Sequence, residues 1–186
     1  MDFQNLLART SHILKELEIP YIITGGYAVC YWGRPRSTFD IDVVVELPDS
    51  KVKQLTEALR QISESIYVDE ITVQNAVKEK GEFNIIHADS GTKIDFWLLK
   101  EKDPFDISRL RRAIKKEVLG HDVYLSSPED LILAKLKWNQ ESPSDRNLED
   151  VKSIFKFSGK DLDMKYLKGW AEKLGVSDDL TELMKK

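Results

Sequence analysis

Cysteine is nearly missing from this 186-residue chain: Cys30 stands alone, so no internal disulfide forms and a cytoplasmic location is the expectation. Long apolar runs are missing too. No stretch approaches the roughly 20 residues that a membrane-spanning helix needs, so no membrane partner is expected. Charges run through the opening MDFQNLLARTSHILKELE, which speaks against a secretory signal. There is no internal repeat, low-complexity tract or Pro/Gly-rich linker. Positive charge is not in excess: the net charge is −4 and the pI about 5.5. That excludes a surface tracking nucleic acid as a whole and leaves room for a local basic patch. His12, His87 and His121 are scattered without a cysteine partner, which disfavours zinc. No G-x-x-x-x-G-K-[ST] loop is present. What remains is a chain 41% apolar and 32% charged, long enough for one domain with a proper core.

Apolar periodicity predicts an opening amphipathic helix from Phe3 to Leu17, halted before Pro20. YIIT (21–24) reads as a short buried strand ending at Gly25-Gly26, and AVCYW (28–32) as a short helix closed by Gly33. FDIDVVVEL (39–47) is rich in β-branched residues and reads as a strand. KVKQLTEALRQIS (51–63) reads as a helix with Asp49 or Ser50 as N-cap. EFNIIHA (82–88) and TKIDFWLL (92–99) flank Asp89-Ser90-Gly91 as a hairpin, and residues 113–125 suggest a second, weaker one around Gly120. From Ser127 on the pattern is helical, in three or four segments punctuated by Ser158-Gly159 and Gly175. The expected fold class is therefore α+β: a sheet domain over 1–125 and a helical C-terminal subdomain over 126–186 packed on it.

Chemistry concentrates in Phe39-Asp40-Ile41-Asp42-Val43. Strand side chains alternate, so Asp40 and Asp42 share one face and Ile41 and Val43 the other. Two carboxylates this close repel, and a hard divalent cation, Mg²⁺ or Mn²⁺, relieves the repulsion. An exposed strand end, with Arg34 or Arg36 as partner, accounts for an isolated D-x-D as well. Asp95 sits in a second apolar strand, and three carboxylates on adjacent strands could hold two metal ions of an in-line displacement. A lysine or arginine partner is the plainer account of Asp95. Thr24-Gly25-Gly26 follows a strand and opens a helix, where glycines let a phosphate approach backbone N–H groups.

The stretch Gly25-Gly26-Tyr27-Ala28, Gly33-Arg34, Arg36-Ser37-Thr38 and Asp40-Ile41-Asp42 resembles the signature of the DNA polymerase β-like nucleotidyltransferase superfamily. Its form is most similar to the minimal, abortive-infection or toxin–antitoxin type, and also to small antibiotic nucleotidyltransferases. Ser127-Pro128-Glu129-Asp130-Leu131-Ile132-Leu133-Ala134-Lys135-Leu136 resembles a helix of the same toxin-like group, so the likeness runs from about residue 20 to 157. It implies a small mixed-sheet nucleotidyltransferase core with flanking helices. It also implies transfer of a nucleoside monophosphate from NTP to a hydroxyl, with Asp40, Asp42 and Asp95 as Mg²⁺ or Mn²⁺ ligands and Asp95 as general base. Gly25 and Gly26 would cradle the triphosphate, helped by Arg36, Thr38 and Lys135. The acceptor implied is a tRNA 3′ end or a protein, with a cognate antitoxin as candidate partner. An aminoglycoside- or lincosamide-type small molecule, or a non-catalytic nucleotide-binding module, are the alternatives. Where the family pattern reads R-D-x-x-D, this chain has Arg146-Asn147-Leu148-Glu149-Asp150.

On a helix over 128–138, at roughly 100° per residue, Lys135 falls among Leu131, Ala134 and Trp138, with Asp130 and Lys137 on the far side. A lysine in an apolar stripe needs a partner for its ammonium or must snorkel to water. The basic run RLRRAIKK (109–116) reads as a solvated face, or as a nucleic-acid contact. Arg146 and Asp150, spaced i,i+4, read as a surface pair. The four tryptophans read as core residues, and Cys30 as helix packing.

Overall fold

The computed structural model describes residues 1–100 and 102–185; Lys186, the last residue of the expected helical subdomain, lies outside them. The elements are α1 (Phe3–Glu16), β1 (Tyr21–Thr24), α2 (Gly25–Trp32), β2 (Asp40–Val45), α3 (Val52–Arg60), β3 (Ile66–Tyr67), α4 (Glu70–Glu79), β4 (Glu82–His87) and β5 (Thr92–Leu98). Then follow α5 (Pro104–Arg111), β6 (Ile114–Val118), β7 (His121–Leu125), α6 (Pro128–Glu141), α7 (Asp145–Ser158), α8 (Met164–Leu174) and α9 (Ser177–Met184). The strands form a seven-stranded mixed sheet in the order β3-β4-β5-β2-β1-β7-β6. Both expected hairpins are present, β4–β5 and β6–β7, each antiparallel. β2 runs antiparallel to β1 and parallel to β5. The parallel pairing needs a long crossover, which α3, β3, α4 and β4 supply.

Strand alternation divides the sheet. Ile41, Val43, Phe83, Ile85, Ile94 and Phe96 point into a large core closed by α1, α3 and α4. A second core gathers Leu131, Leu133, Leu136, Val151, Ile154, Leu167 and Leu180 from the C-terminal helices, and it includes Ala28 and Val29 of α2. The helix after the glycine turn thus belongs by chain to the sheet and by packing to the C-terminal helices.

Three local expectations change. Asp49 and Ser50 do not cap α3: they form a 3₁₀ turn through Lys51, and α3 starts at Val52. Lys51 Nζ there donates to the carbonyls of Leu17 (2.5 Å) and Glu18 (3.1 Å), tying the turn to the end of α1. Two helices carry little apolar periodicity and stand outside the sequence reading. α4 is set by Asp69, whose side chain accepts from Thr72 N at 2.8 Å. α5 is set by Asp103, which accepts from Phe105 N at 2.8 Å, with Pro104 in its first turn. Finally, α6 is covered on more than one side. Asp130, expected to face away from the apolar stripe, is fully buried, whereas Trp138 is 48% exposed.

Candidate active site

The β2–β5 pairing sets the geometry. Asp42 lies opposite Asp95, and Asp40 opposite Lys93. Asp42 is also opposite Thr24, the last residue of β1. Period-2 alternation therefore puts Asp40, Asp42, Lys93 and Asp95 on one face, away from the large core. One strand further out, Asn84 stands opposite Asp95 and Ile86 opposite Lys93.

The glycine turn closes over this face. Gly25 has φ +59°, where L side chains are strained, and a Cβ there would overlap the Asp42 carboxylate. A Cβ on Gly26 would come within 2.5 Å of Thr38 Oγ1 and 3.4 Å of Arg36 Nη1. The turn lies within the first turn of α2 rather than before it, and Thr24 makes no side-chain capping bond. The first N–H groups of α2 therefore open beside the carboxylates.

Two cations stand behind the turn, held by an acid the sequence reading placed on the surface. Asp150 is only 3% exposed. It accepts from Arg36 Nε and Nη2, both at 2.9 Å, and pairs with Lys135 Nζ at 2.8 Å. Its partners are thus Arg36 and Lys135 rather than the expected Arg146. Lys135 Nζ also donates to Asn147 Oδ1 at 3.4 Å. The loop between α2 and β2 is clipped at two further points. Cys30 Sγ donates to Arg36 O at 3.1 Å, and Arg34 N donates to Ser153 Oγ at 2.5 Å.

Electrostatics follow from this packing. Burial pushes the Asp42 carboxyl above its ordinary value and the Asp95 charge adds to the push, while the Gly26 N–H and Lys135 pull it down. Burial also pushes Asp150 upward, but the hydrogen bonds from Arg36 and Lys135 more than offset it and leave it below the ordinary range. Asp95 forms an ion pair with Lys93 at 2.9 Å, the lysine partner that competed with a metal role in the sequence. Asp40 is exposed at the first residue of β2. Among the described residues, no three His, Cys, Asp or Glu side chains converge into a cage for an ion by themselves.

The structure thus brings Gly25, Gly26, Arg36, Thr38, Asp42, Asp95 and Lys135 into one contiguous neighbourhood, with Asp40 at its exposed rim. Sequence reasoning passed over Lys93 and read Asp150 only as a surface partner of Arg146. Both were within reach of rules already applied: Lys93 is two residues before Asp95, and Asp150 is one helical turn before the buried Ile154.

Other candidates resolve into structure. The basic run at 109–116 divides: Arg111 and Lys115 are exposed, as a solvated face would have them, while Arg109, Arg112 and Lys116 are half-buried. Arg109 pairs with Asp106 at 2.7 Å, Lys115 with Asp122 at 2.9 Å, and Arg112 with Glu129 at 3.1 Å. Arg112 lies over the Tyr166 ring at 3.8 Å, and Tyr166 donates to buried Asp130 at 2.6 Å. Burial, first, and that hydrogen bond hold the Tyr166 phenol far above its ordinary value. His12 and His121 meet ring to ring at 5.1 Å, and His87 Nδ1 is 2.7 Å from Ser90 Oγ.

No protein-family model matches the chain, and neither does any curated protein. Solved structures do. ANT(2'')-Ia, an antibiotic-resistance factor, aligns over 96% of both chains with a TM-score of 0.57 at 14% identity. An antigenic nucleotidyltransferase-like protein from Paracoccidioides brasiliensis aligns over 98% of this chain and 91% of its own, with a TM-score of 0.51 at 18% identity. The lincosamide antibiotic adenylyltransferase LnuA aligns over 77% of this chain and 90% of its own, with a TM-score of 0.51 at 14% identity. With its mixed sheet, paired strand carboxylates and glycine turn, the chain has the nucleotidyltransferase fold.

Proposed function

We propose that the chain is a metal-dependent nucleotidyltransferase that moves a nucleoside monophosphate from NTP to a hydroxyl acceptor. The observation that carries this reading is Asp42 in register with Asp95 on adjacent parallel strands, under a glycine turn whose missing Cβ leaves room for the carboxylate. The donors are hard oxygens, as Mg²⁺ or Mn²⁺ requires. Such ions are commonly held by one or two carboxylates together with substrate phosphates, which suits a face whose acids do not form a closed cage alone. Asp40, Asp42 and Asp95 would hold the ion; when bound, it supplies charge neutralisation at the α-phosphorus and the departing pyrophosphate.

The chain's own residues do the rest. The N–H groups at Gly25, Gly26 and the start of α2 donate to the triphosphate oxygens, and Arg36 and Lys135 lend positive charge beside them. Thr38, next to Gly26, closes the same side. Asp95 takes the proton of the acceptor hydroxyl as that oxygen bonds to the α-phosphorus. The bond from the α-phosphorus to the bridging oxygen breaks, and the electron pair leaves with pyrophosphate. Catalysis here is mainly positioning and electrostatics.

Two acceptor classes are in play. The toxin-like motif favours a tRNA 3′ end or a protein, with an antitoxin as partner. The likeness to ANT(2'')-Ia and LnuA favours a small antibiotic. Incubation with α-³²P-labelled NTPs, Mg²⁺ and each acceptor class tests the reading and separates the two. The expected outcome is label transfer that falls at least about a hundredfold in Asp42→Ala, the scale of losing a main electrostatic element. Transfer that survives Asp42→Ala overturns the site assignment. Nucleotide binding with no transfer to any acceptor points to a binding module instead. Growth arrest on expression, relieved by a neighbouring gene's product, tests the toxin reading.

A further inference from the structure

Lys93 enters β5 opposite Asp40 and two residues before Asp95, so it rises from the acid face itself. Its Nζ lies 2.9 Å from Asp95 Oδ2. The flanking strand offers no competing charge in these rows, since Ile86 faces Lys93 and Asn84 faces Asp95. The Lys93 side chain is 38% exposed and that of Asp95 18%, so packing does not lock the ammonium in place. An ion pair at this exposure is weak. A divalent ion at the same oxygen brings twice the charge and a stronger Coulomb attraction.

We propose that Lys93 is an exchangeable counter-cation. Its ammonium neutralises Asp95 while the acid face holds no divalent ion, and it gives up that carboxylate when the ion enters. Lys93 thereby sets the affinity of the site for the ion. The inference rests on the nucleotidyl-transfer reading of Asp40, Asp42 and Asp95. A permanent lysine charge beside three acids lets the sheet fold without an ion, and its partial exposure leaves the carboxylate open to exchange.

Mn²⁺ titration without nucleotide, followed by the electron paramagnetic resonance of the free ion, tests this in the full-length protein. Lys93→Met and Lys93→Gln are each expected to bind Mn²⁺ about fivefold tighter or more, because the ion no longer displaces an ion pair. Lys93→Arg, which keeps the charge, is expected to stay within about twofold of the parent. In the unmodified protein, the Lys93 Nζ and Cε magnetic-resonance signals are expected to shift as Mg²⁺ is added. Equal or weaker Mn²⁺ binding in both neutral variants, folded by circular dichroism, overturns the proposal. A Lys93 signal that stays put at saturating Mg²⁺ does the same, and needs no variant. Asp42→Asn separates the two levels of inference. If it binds Mn²⁺ as tightly as the parent, the ion lies elsewhere and the nucleotidyl-transfer site falls, whatever Lys93 does.

Discussion

At the scale of single residues, half-buried Asp42 and buried Asp150 carry opposite signs of linkage. Asp42 has its pKa raised on folding, by burial first and Asp95 second. Its contribution to stability is full below the ordinary value of 3.8 and is lost as pH rises through the raised one. Ionised Asp42 therefore costs stability near neutral pH. Asp42→Asn should raise the melting temperature there, and the advantage should vanish in acid; thermal unfolding across a pH series checks this. Asp150 behaves the other way. Arg36 and Lys135 overcome its burial and lower its pKa, so its contribution is present above 3.8 and is lost as pH falls through the lowered value. Asp150→Ala leaves two part-buried cations unpaired, and denaturant unfolding should register a loss of about 3 kcal/mol. Asp150 was legible as a helix-face residue but not as a bridge. Its partners are 114 residues away for Arg36 and 15 positions earlier, on another helix, for Lys135.

At the scale of an element, the turn from β1 into α2 decides the site. Gly25 and Gly91 both have positive φ, 59° and 67°. A Cβ at Gly25 meets Asp42, whereas one at Gly91 meets open space within 4 Å. Both alanine substitutions should cost about 1 kcal/mol from the backbone. Gly25→Ala should in addition displace the Asp42 carboxylate and lower label transfer about a hundredfold, while Gly91→Ala should leave transfer unchanged. Paired unfolding and transfer assays read the contrast. The strands other than the two-residue β3, and both hairpins, were readable because β-branched alternation and turn residues are local. α4 and α5 were not, because short helices with weak apolar stripes depend on caps at Asp69 and Asp103 and on what they pack against.

At the scale of the whole molecule, the C-terminal helices complete a core that begins in α2. Ala28 and Val29, both fully buried, pack with Leu131, Ile132 and Leu136. Removing residues 126–186 exposes that face of α2 and strips Lys135 and Asp150 from the glycine turn. A chain of residues 1–125 should therefore lack a cooperative unfolding transition, whereas the full chain unfolds in one. Calorimetry and hydrogen exchange of the two forms test this. A stable, cooperative 1–125 fragment would show that the sheet's own core suffices.

The amino-acid order by itself determined the period-2 faces of β2 and β5, the glycine turn, the two hairpins and the run of C-terminal helices, because each depends on neighbours a few residues apart. Only the tertiary structure decided that Asp42 faces Asp95 rather than another row of β5, that Asp150 joins Arg36 to Lys135, and that α6 is buried on more than one side. Those outcomes depend on strand register and helix docking, where a shift of one residue exchanges the buried face for the exposed one.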